Sequence, residues 1–427
     1  MFNLLGWLIA SIFIALVIVI LVLYLRGFFH LRIPYQICDL PSPKAKNFAS
    51  TMAGLSDSFI TEGKITNFCV FAEQIFAYRL EAISKASKSI QFETFIMTPG
   101  RRANEFALAL AEKAQSGVKV QVLADHYGAK EIPSKYWSSL KSSGVEVLFF
   151  NRFSWRDPFY YLRRNHRKLL LVDNKIALIG GAGISDYWDG RDGIGDKTPW
   201  FDYEVCLQGS IIERLKNLFI QHWLDAGGSA NFSEENFKFN QENQQTILID
   251  AGEDPTLRDS GIRSLFQSLI AAARKRVWIA SPYFLPNRNS RDILIRAKRK
   301  GIDVRILTMG PRTDKPPVRF ASLELFSKLI KSDISIYEYQ ASMMHAKAML
   351  IDDCWVSIGS ANFDPRSFFH NDELNLLITE YTLTKRIEDF FLDGFSRSHS
   401  LTLKNLKHRP LKEKLLGRLM LLFFWQL

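Results

Sequence analysis

The pattern His-x-Lys-x-x-x-x-Asp occurs twice, at His166–Asp173 and at His345–Asp352. Each copy closes the same series of elements. Before the first, residues 76–86 carry apolar side chains at helical spacing, 89–97 alternate as a strand, 103–116 read as a helix ended by Gly117, and 118–124 and 145–150 are β-rich runs. Before the second, the same order recurs in 264–274, 277–284, 290–300 (ended by Gly301), 302–308 and 334–339. The repeat period is far longer than a solenoid's, so the chain is a duplication. Helices alternating with strands predict an α/β fold built twice.

Each motif reads as a β-hairpin. A β-rich run reaches a turn at Asp173-Asn174 or Asp352-Asp353, and a return strand ends at Gly180-Gly181 or Gly359-Ser360. Residues two apart on a strand share a face, so His and Lys of each motif should project together. An imidazole beside an ammonium suits a phosphodiester. The lysine steadies anionic oxygens while the histidine attacks phosphorus or donates a proton. The small residues after the return strand let donors approach that phosphate. A single His-x-Lys would read as a solvated strand face; two copies in register with a duplicated fold read as one shared site.

The N-terminus points to a membrane. Residues 4–25 contain no charged residue and have the roughly 20-residue length of a bilayer-spanning helix. No cation precedes the run and no small-x-small site follows it, which disfavours a cleaved signal peptide. Arg26, Arg32, Lys44 and Lys46 follow it, placing the body on the cytoplasmic side, and Trp7 and Tyr24 lie near its two ends. The closing residues 401–427 combine an apolar stretch with Lys404, Lys407, Arg409, Lys412, Lys414 and Arg418. They read equally as a basic amphipathic tail on an anionic surface or as a terminal helix packed on the domain. The net charge of +11 favours an anionic partner, lipid or nucleic acid. Cys38, Cys69, Cys206 and Cys354 form no C-x-x-C pair and no metal-ligand spacing, as for thiols in a reducing compartment.

At the two motifs the sequence resembles the phospholipase D superfamily, the HKD enzymes, and more narrowly the bacterial cardiolipin synthases. The resemblance covers about residues 66–400. Its most specific part is the second motif with Gly-Ser-x-Asn, Asn362-Phe-Asp-Pro-Arg366-Ser367 and Asn371-x-Glu373-x-Asn375. It implies duplicated α/β sandwich halves whose motifs meet at a pseudo-twofold active site. The domain reading is a transmembrane anchor at 1–29, a linker at 30–65, a first half at 66–235, a connector at 236–247, a second half at 248–400 and the basic tail at 401–427.

The resemblance also implies a mechanism. One histidine forms a phosphohistidine while the other protonates the leaving alcohol and deprotonates the incoming one. The catalytic set is then His166, Lys168, Asp173, His345, Lys347 and Asp352, with His166 as nucleophile, His345 as acid/base and the two aspartates more often structural in this family. Lys168, Lys347 and Asn362 should hold the phosphate, with Ser360 and Asn362 in the fuller second motif. A carboxylate is expected to orient each imidazole: Glu373 for His345 and Asp202 for His166. Gly183 stands where the family often has Asn, which predicts an asymmetric phosphate cradle. Neither metal nor cofactor is implied. Arg163, Arg164, Trp155, Phe159, Tyr160 and Tyr161 are candidates for contact with lipid.

The resulting expectation is a single-pass protein of the bacterial inner membrane. It would make cardiolipin from phosphatidylglycerol and a second phospholipid, phosphatidylethanolamine being one choice. Its partner would be the anionic phospholipid membrane, with no nucleic acid. The alternatives are a phospholipase D-type hydrolase of phospholipid or nucleic acid, and a membrane-tethered lipid-binding scaffold.

Overall fold

A computed structural model describes residues 2–25, 39–156, 160–190, 198–230, 245–250, 252 and 260–427. Cys38, the flanking cations Arg26 and Arg32, Phe159 and residues 236–244 of the connector lie outside them.

The strands of the first half are β1 (Phe59–Val70), β2 (Ser89–Thr94), β3 (Lys119–Asp125), β4 (Glu146–Phe150), β5 (Arg164–Asn165), β6 (Leu169–Val172), β7 (Ile176–Gly180) and β8 (Tyr203–Gln208). Those of the second are β9 (Gln245–Asp250), β10 (Arg276–Ala280), β11 (Asp303–Met309), β12 (Ser335–Tyr339), β13 (Ala348–Ile351), β14 (Trp355–Gly359), β15 (Asn371–Asp372), β16 (Asn375–Ile378) and β17 (Ser398–Ser400). All but β5 and β15 form one mixed sheet in the order β17-β12-β11-β10-β13-β14-β16-β9-β1-β8-β7-β6-β2-β3-β4. Outward from the β1–β9 junction the two arms carry equivalent strands in the same order, with β17 added at one edge. The predicted duplication is thus visible in the topology. The helices Arg101–Gln115 and Arg288–Arg299, at equivalent places in the two arms, are followed by Gly117 and Gly301 at φ +90° and +85°. That backbone geometry is the left-handed one in which glycine terminates a helix.

The stretch read as a linker is largely built into the fold. The helix Phe48–Ser56 buries Phe48, Met52 and Ala53 in the core of the second half. The Trp355 indole N–H donates to Pro43 O at 2.7 Å. Strand β1 is antiparallel to β8 on one side and to β9 on the other, so it joins the halves. Its shift in register between Ile65 and Asn67 hides the period-two pattern that marks a strand in sequence.

Helices Ile211–Asp225 and Tyr381–Ser396 lie in the layer between the arms. There Phe219, Trp223, Phe390 and Phe391 share a core with Leu169, Leu171, Ala348 and Leu350 of the motif strands. Side chains of this size each contribute about 1.5–3 kcal/mol on full burial. The strands that carry the two motifs are therefore clamped back to back by one hydrophobic layer.

The tail is divided between helices Leu403–His408 and Leu411–Met420 and the turn Leu421–Gln426. It packs on the domain: Gly417 sits so close to helix Pro316–Lys331 that a Cβ there would fall 2.5 Å from Phe320 O. The N-terminal residues Phe2–Leu25 form one helix with no acidic residue in its first turn and no basic residue in its last. Within it, the side chains at 6–21 are described and are exposed. No helix among the described residues is long and apolar enough to cross a membrane. The expected span is thus a helix whose described part stops short of one.

Candidate active site

The histidines and lysines of the motifs precede strands β6 and β13 rather than lying on them. Their backbone bonds reach across the molecule instead. His166 N donates to Asp372 O at 2.8 Å, and His345 N to Phe201 O at 2.9 Å. The two-residue strands β5 and β15 pair in parallel, Arg164 with Asn371 and Asn165 with Asp372. Phe201 and Met344 form the matching bridge on the other side. Each motif histidine is thus stitched to the half it does not belong to.

The carboxylates follow the same crossing, which overturns the expected pairing. Glu373 accepts from His166 Nδ1, at 2.9 Å to Oε2 and 3.1 Å to Oε1. Asp202 Oδ2 accepts from His345 Nδ1 at 3.0 Å. All four side chains are buried. Each carboxylate follows its own half's motif in sequence, but the pseudo-twofold axis delivers it to the other half's imidazole. Sequence order alone carries no sign of that crossing.

The surroundings of the two carboxylates differ. The Ser360 hydroxyl donates to Glu373 Oε2 at 2.5 Å. Asp202 instead receives the Trp188 indole N–H at 2.9 Å and the Tyr203 N–H at 2.9 Å. At the position of Ser360 the first half has Gly181, where a Cβ would lie 2.4 Å from Asp202 Oδ1. Glycine is required for that approach. Trp188, which packs edge-on to His345 with ring centres 5.1 Å apart, is a site residue the sequence reading missed.

Lys168 Nζ donates to His166 O and Lys347 Nζ to His345 O, each at 2.5 Å. Lys347 Nζ also lies 3.1 Å from both ring nitrogens of His345, against the ring. The motif aspartates are not in the site. Asp173 accepts from the N–H groups of Ser87, Lys88 and Ser89, and Asp352 from those of Arg274, Lys275 and Arg276. Both stand at the hairpin turns, beyond the far ends of β6 and β13, with φ of +54° and +52°. Their acceptor oxygens close the chain entering β2 and β10, so they brace the hairpins that carry the histidines.

In front of His166 opens a cavity of about 390 Å³, walled by Phe95, Tyr127, Tyr161, Leu162, Tyr283 and Asn362 among others. Asn362 is buried and its Oδ1 has no partner among the described residues. Of the residues read as lipid contacts, Tyr161 and Arg164 line this wall, while Trp155 stands clear at 87% exposure.

The family described as "Cardiolipin synthase, PLD-like domain" matches residues 80–187 and 266–393, the two arms with both motifs. A cardiolipin synthase of Geobacillus sp. (strain WCH70) is 31% identical over 79% of this chain and 68% of its own length. Cardiolipin synthase 1 of Bacillus cereus is 30% identical over 83% and 71%. The chain belongs to the phospholipase D-like cardiolipin synthase family. It is therefore a phospholipase D-superfamily transferase. Among solved structures it resembles the phosphatidylserine synthase of Haemophilus influenzae Rd KW20, with a TM-score of 0.63 over 87% of this chain and 96% of that one; at 13% identity this is a likeness of fold.

Against that family pattern, the glycine at 183 is accounted for by packing. A Cβ at Gly183 would lie 2.6 Å from Ile96 O. The Ile184 N–H donates to the same carbonyl at 2.8 Å. The loop is pinned from behind by the buried ion pair Arg79–Glu204, whose guanidinium also donates to Ala182 O at 2.8 Å and Gly183 O at 3.3 Å. The first half of this cardiolipin synthase family member has no room for the asparagine its second half keeps as Asn362.

Electrostatics set the protonation of the site. Burial lowers His166 to about 3 and His345 to about 4, outweighing the carboxylate beside each. Burial would raise Glu373, but His166, Lys168 and the Ser360 hydroxyl hold it down at about 2. Asp202 is likewise lowered, against its burial, by His345 and Lys347. An ionised Glu373 fixes the proton of neutral His166 on Nδ1 and leaves a lone pair on Nε2. Burial lowers Lys168 to about 7 and Lys347 to about 8.

Proposed function

We propose that this chain is a membrane-anchored phosphatidyltransferase that makes cardiolipin from phosphatidylglycerol and a second phospholipid through a phosphohistidine on His166. The observation that carries the assignment is that His166 lies in the cavity wall with its Nδ1 held by Glu373, while His345 does not line the cavity. In the first step His166 Nε2 forms a bond to phosphorus as the bond to the leaving glycerol oxygen breaks, and His345, entering the step as the imidazolium that the Asp202 carboxylate stabilises, gives that oxygen its Nε2 proton. In the second, the acceptor hydroxyl attacks phosphorus, His345 takes its proton and the P–N bond breaks. Lys168, Lys347 and Asn362 offset the phosphoryl charge throughout. The apolar and aromatic wall supports lipid rather than nucleic acid as substrate.

Two surfaces support membrane attachment. The helix Phe2–Leu25 exposes Trp7, Ile9, Phe13 and Leu16 among others. On Leu411–Met420, Leu411, Leu415 and Leu419 are spaced four apart and more than half exposed, beside Lys412, Lys414 and Arg418. An apolar stripe flanked by cations suits the interface of an anionic bilayer, with the first helix inserted and the catalytic body on the cytoplasmic face.

The test is turnover of purified protein in phosphatidylglycerol micelles, with and without phosphatidylethanolamine. Cardiolipin formation that is lost in both His166→Ala and His345→Ala is expected, with acid-labile phosphate on the His345→Ala protein when the substrate is a phosphatidyl ester whose leaving group needs no proton, such as p-nitrophenol. Phosphatidic acid as the sole product would establish a hydrolase. Flotation with anionic vesicles that persists after removal of residues 2–25 and charge reversal on Leu411–Met420 would remove the anchoring reading.

A further inference from the structure

The two-histidine reaction leaves four charged residues of the cavity wall unused: Arg164, Lys315, Asp364 and Arg366. The Arg366 guanidinium donates through Nη2 to Leu162 O at 2.9 Å and Asn371 Oδ1 at 3.3 Å, and makes no ion pair among the described residues. Arg164, in the same wall, is different: it is tied to Asp125 at 3.1 Å and to the carbonyls of Arg163, Asn151 and Tyr161. Lys315 is exposed, with Nζ 4.7 Å from the centre of the Tyr283 ring, and also lacks an ion pair among the described residues. Asp364 is buried and accepts the Ser367 N–H at 2.8 Å. Arg366 and Lys315 act on it electrostatically, so these three lie together.

A partly buried guanidinium that has Asp364 near it but makes no ion pair is only partly compensated until an anion arrives, and its planar fork matches a phosphate. Transfer between two phospholipids involves two phosphates. One is attacked at His166. The other belongs to the acceptor and must be held intact while its hydroxyl reaches the phosphohistidine. Resting on the phosphatidyltransferase reading above, we propose that Arg366 and Lys315 bind the phosphodiester of the acceptor phospholipid, with Asp364 beside them accepting a hydrogen bond from its glycerol headgroup. The site then selects a phosphate-bearing alcohol over water or a simple alcohol by charge. Burial holds the Asp364 carboxyl up at about 7, so it opposes a bound phosphate less than a fully ionised acid would.

The test is the partition of one phosphohistidine between two acceptors. Full-length protein turns over phosphatidylglycerol in micelles containing a fixed concentration of ethanol, and the ratio of cardiolipin to phosphatidylethanol is measured. Lys315→Gln alters an exposed position and Arg366→Lys keeps the charge, so both leave the fold in place; Arg366→Gln is the stronger change. The expected result is a ratio lowered at least 10-fold in Arg366→Gln/Lys315→Gln, partly restored by Arg366→Lys, with glycerol release at saturating ethanol unchanged. In the soluble arm, wild-type preference for glycerol 3-phosphate over glycerol, lost in the double variant, assigns recognition to the phosphate itself. Preference confined to phosphatidylglycerol assigns it to the lipid-borne diester. An unchanged ratio, or an equal loss of both products, overturns the subsite while the transferase reading stands. A wild type that transfers to no alcohol overturns both.

Discussion

His166 Nδ1 lies 2.9 Å from Glu373 Oε2, a carboxylate contributed by the other half of the chain. The reciprocal contact runs from His345 to Asp202. Neither half therefore contains a complete histidine–carboxylate pair, although each contains a complete motif. Glu373→Gln keeps the shape but offers an amide that stabilises neither the Nδ1–H tautomer nor the imidazolium. Phosphatidyl transfer should fall by about 10³–10⁴-fold, as expected when the orienting carboxylate of a histidine is lost. Asp202→Asn should impair the proton transfers of His345. In rapid-quench experiments Glu373→Gln should slow formation of the phosphohistidine, whereas Asp202→Asn should allow it to accumulate when a good leaving group is supplied. Identical phases in the two variants would contradict the crossed assignment.

The motif aspartates should behave in the opposite way. Asp352→Ala removes an acceptor for three backbone N–H groups and should cost roughly 2–3 kcal/mol, with Asp173→Ala, in a more exposed turn, costing about 1–2 kcal/mol. Turnover per folded molecule should stay within about threefold of the parent, since neither side chain reaches the imidazoles. Urea unfolding combined with active-site titration separates the two quantities.

Gly183→Asn tests whether the missing asparagine is a lost function. The Ile96 carbonyl occupies the space a side chain needs, so even Gly183→Ala should cost about 1–3 kcal/mol. Gly183→Asn should lower the thermal midpoint further and leave transfer no faster. A gain in activity would show that the loop can open to restore a symmetric cradle.

Stability and activity should part company at alkaline pH. Lys168 binds its proton more weakly when folded, at about 7 against 10.5. Between those values the unfolded chain holds more protons, so stability rises with pH across that window. Lys347, at about 8, acts in the same direction. His166 and His345, lowered to about 3 and 4 from 6.5, likewise make stability rise between about pH 4 and 6.5. On the proposed reading both ammonium groups hold the phosphate, so kcat/KM should fall above about pH 7, where Lys168 loses its proton, while the thermal midpoint of the free protein still climbs. Lys168→Met should flatten the alkaline part of the stability curve.

The sequence by itself determined the duplication, the two hairpins and the pairing of a His with a Lys in each motif. These are local facts: periodicity, turn residues at Asp173-Asn174 and Asp352-Asp353, and glycines at helix ends are written in neighbouring positions. The tertiary structure decided which carboxylate serves which histidine, because a pseudo-twofold axis crosses partners more than a hundred residues apart without leaving a trace in either segment. It also decided that the stretch before residue 66 supplies the strand joining the halves, since the shifted register of β1 disguises its alternation. Only packing explained Gly183: the steric limit is the Ile96 carbonyl, a backbone atom of a distant segment that no motif at 180–183 could reveal.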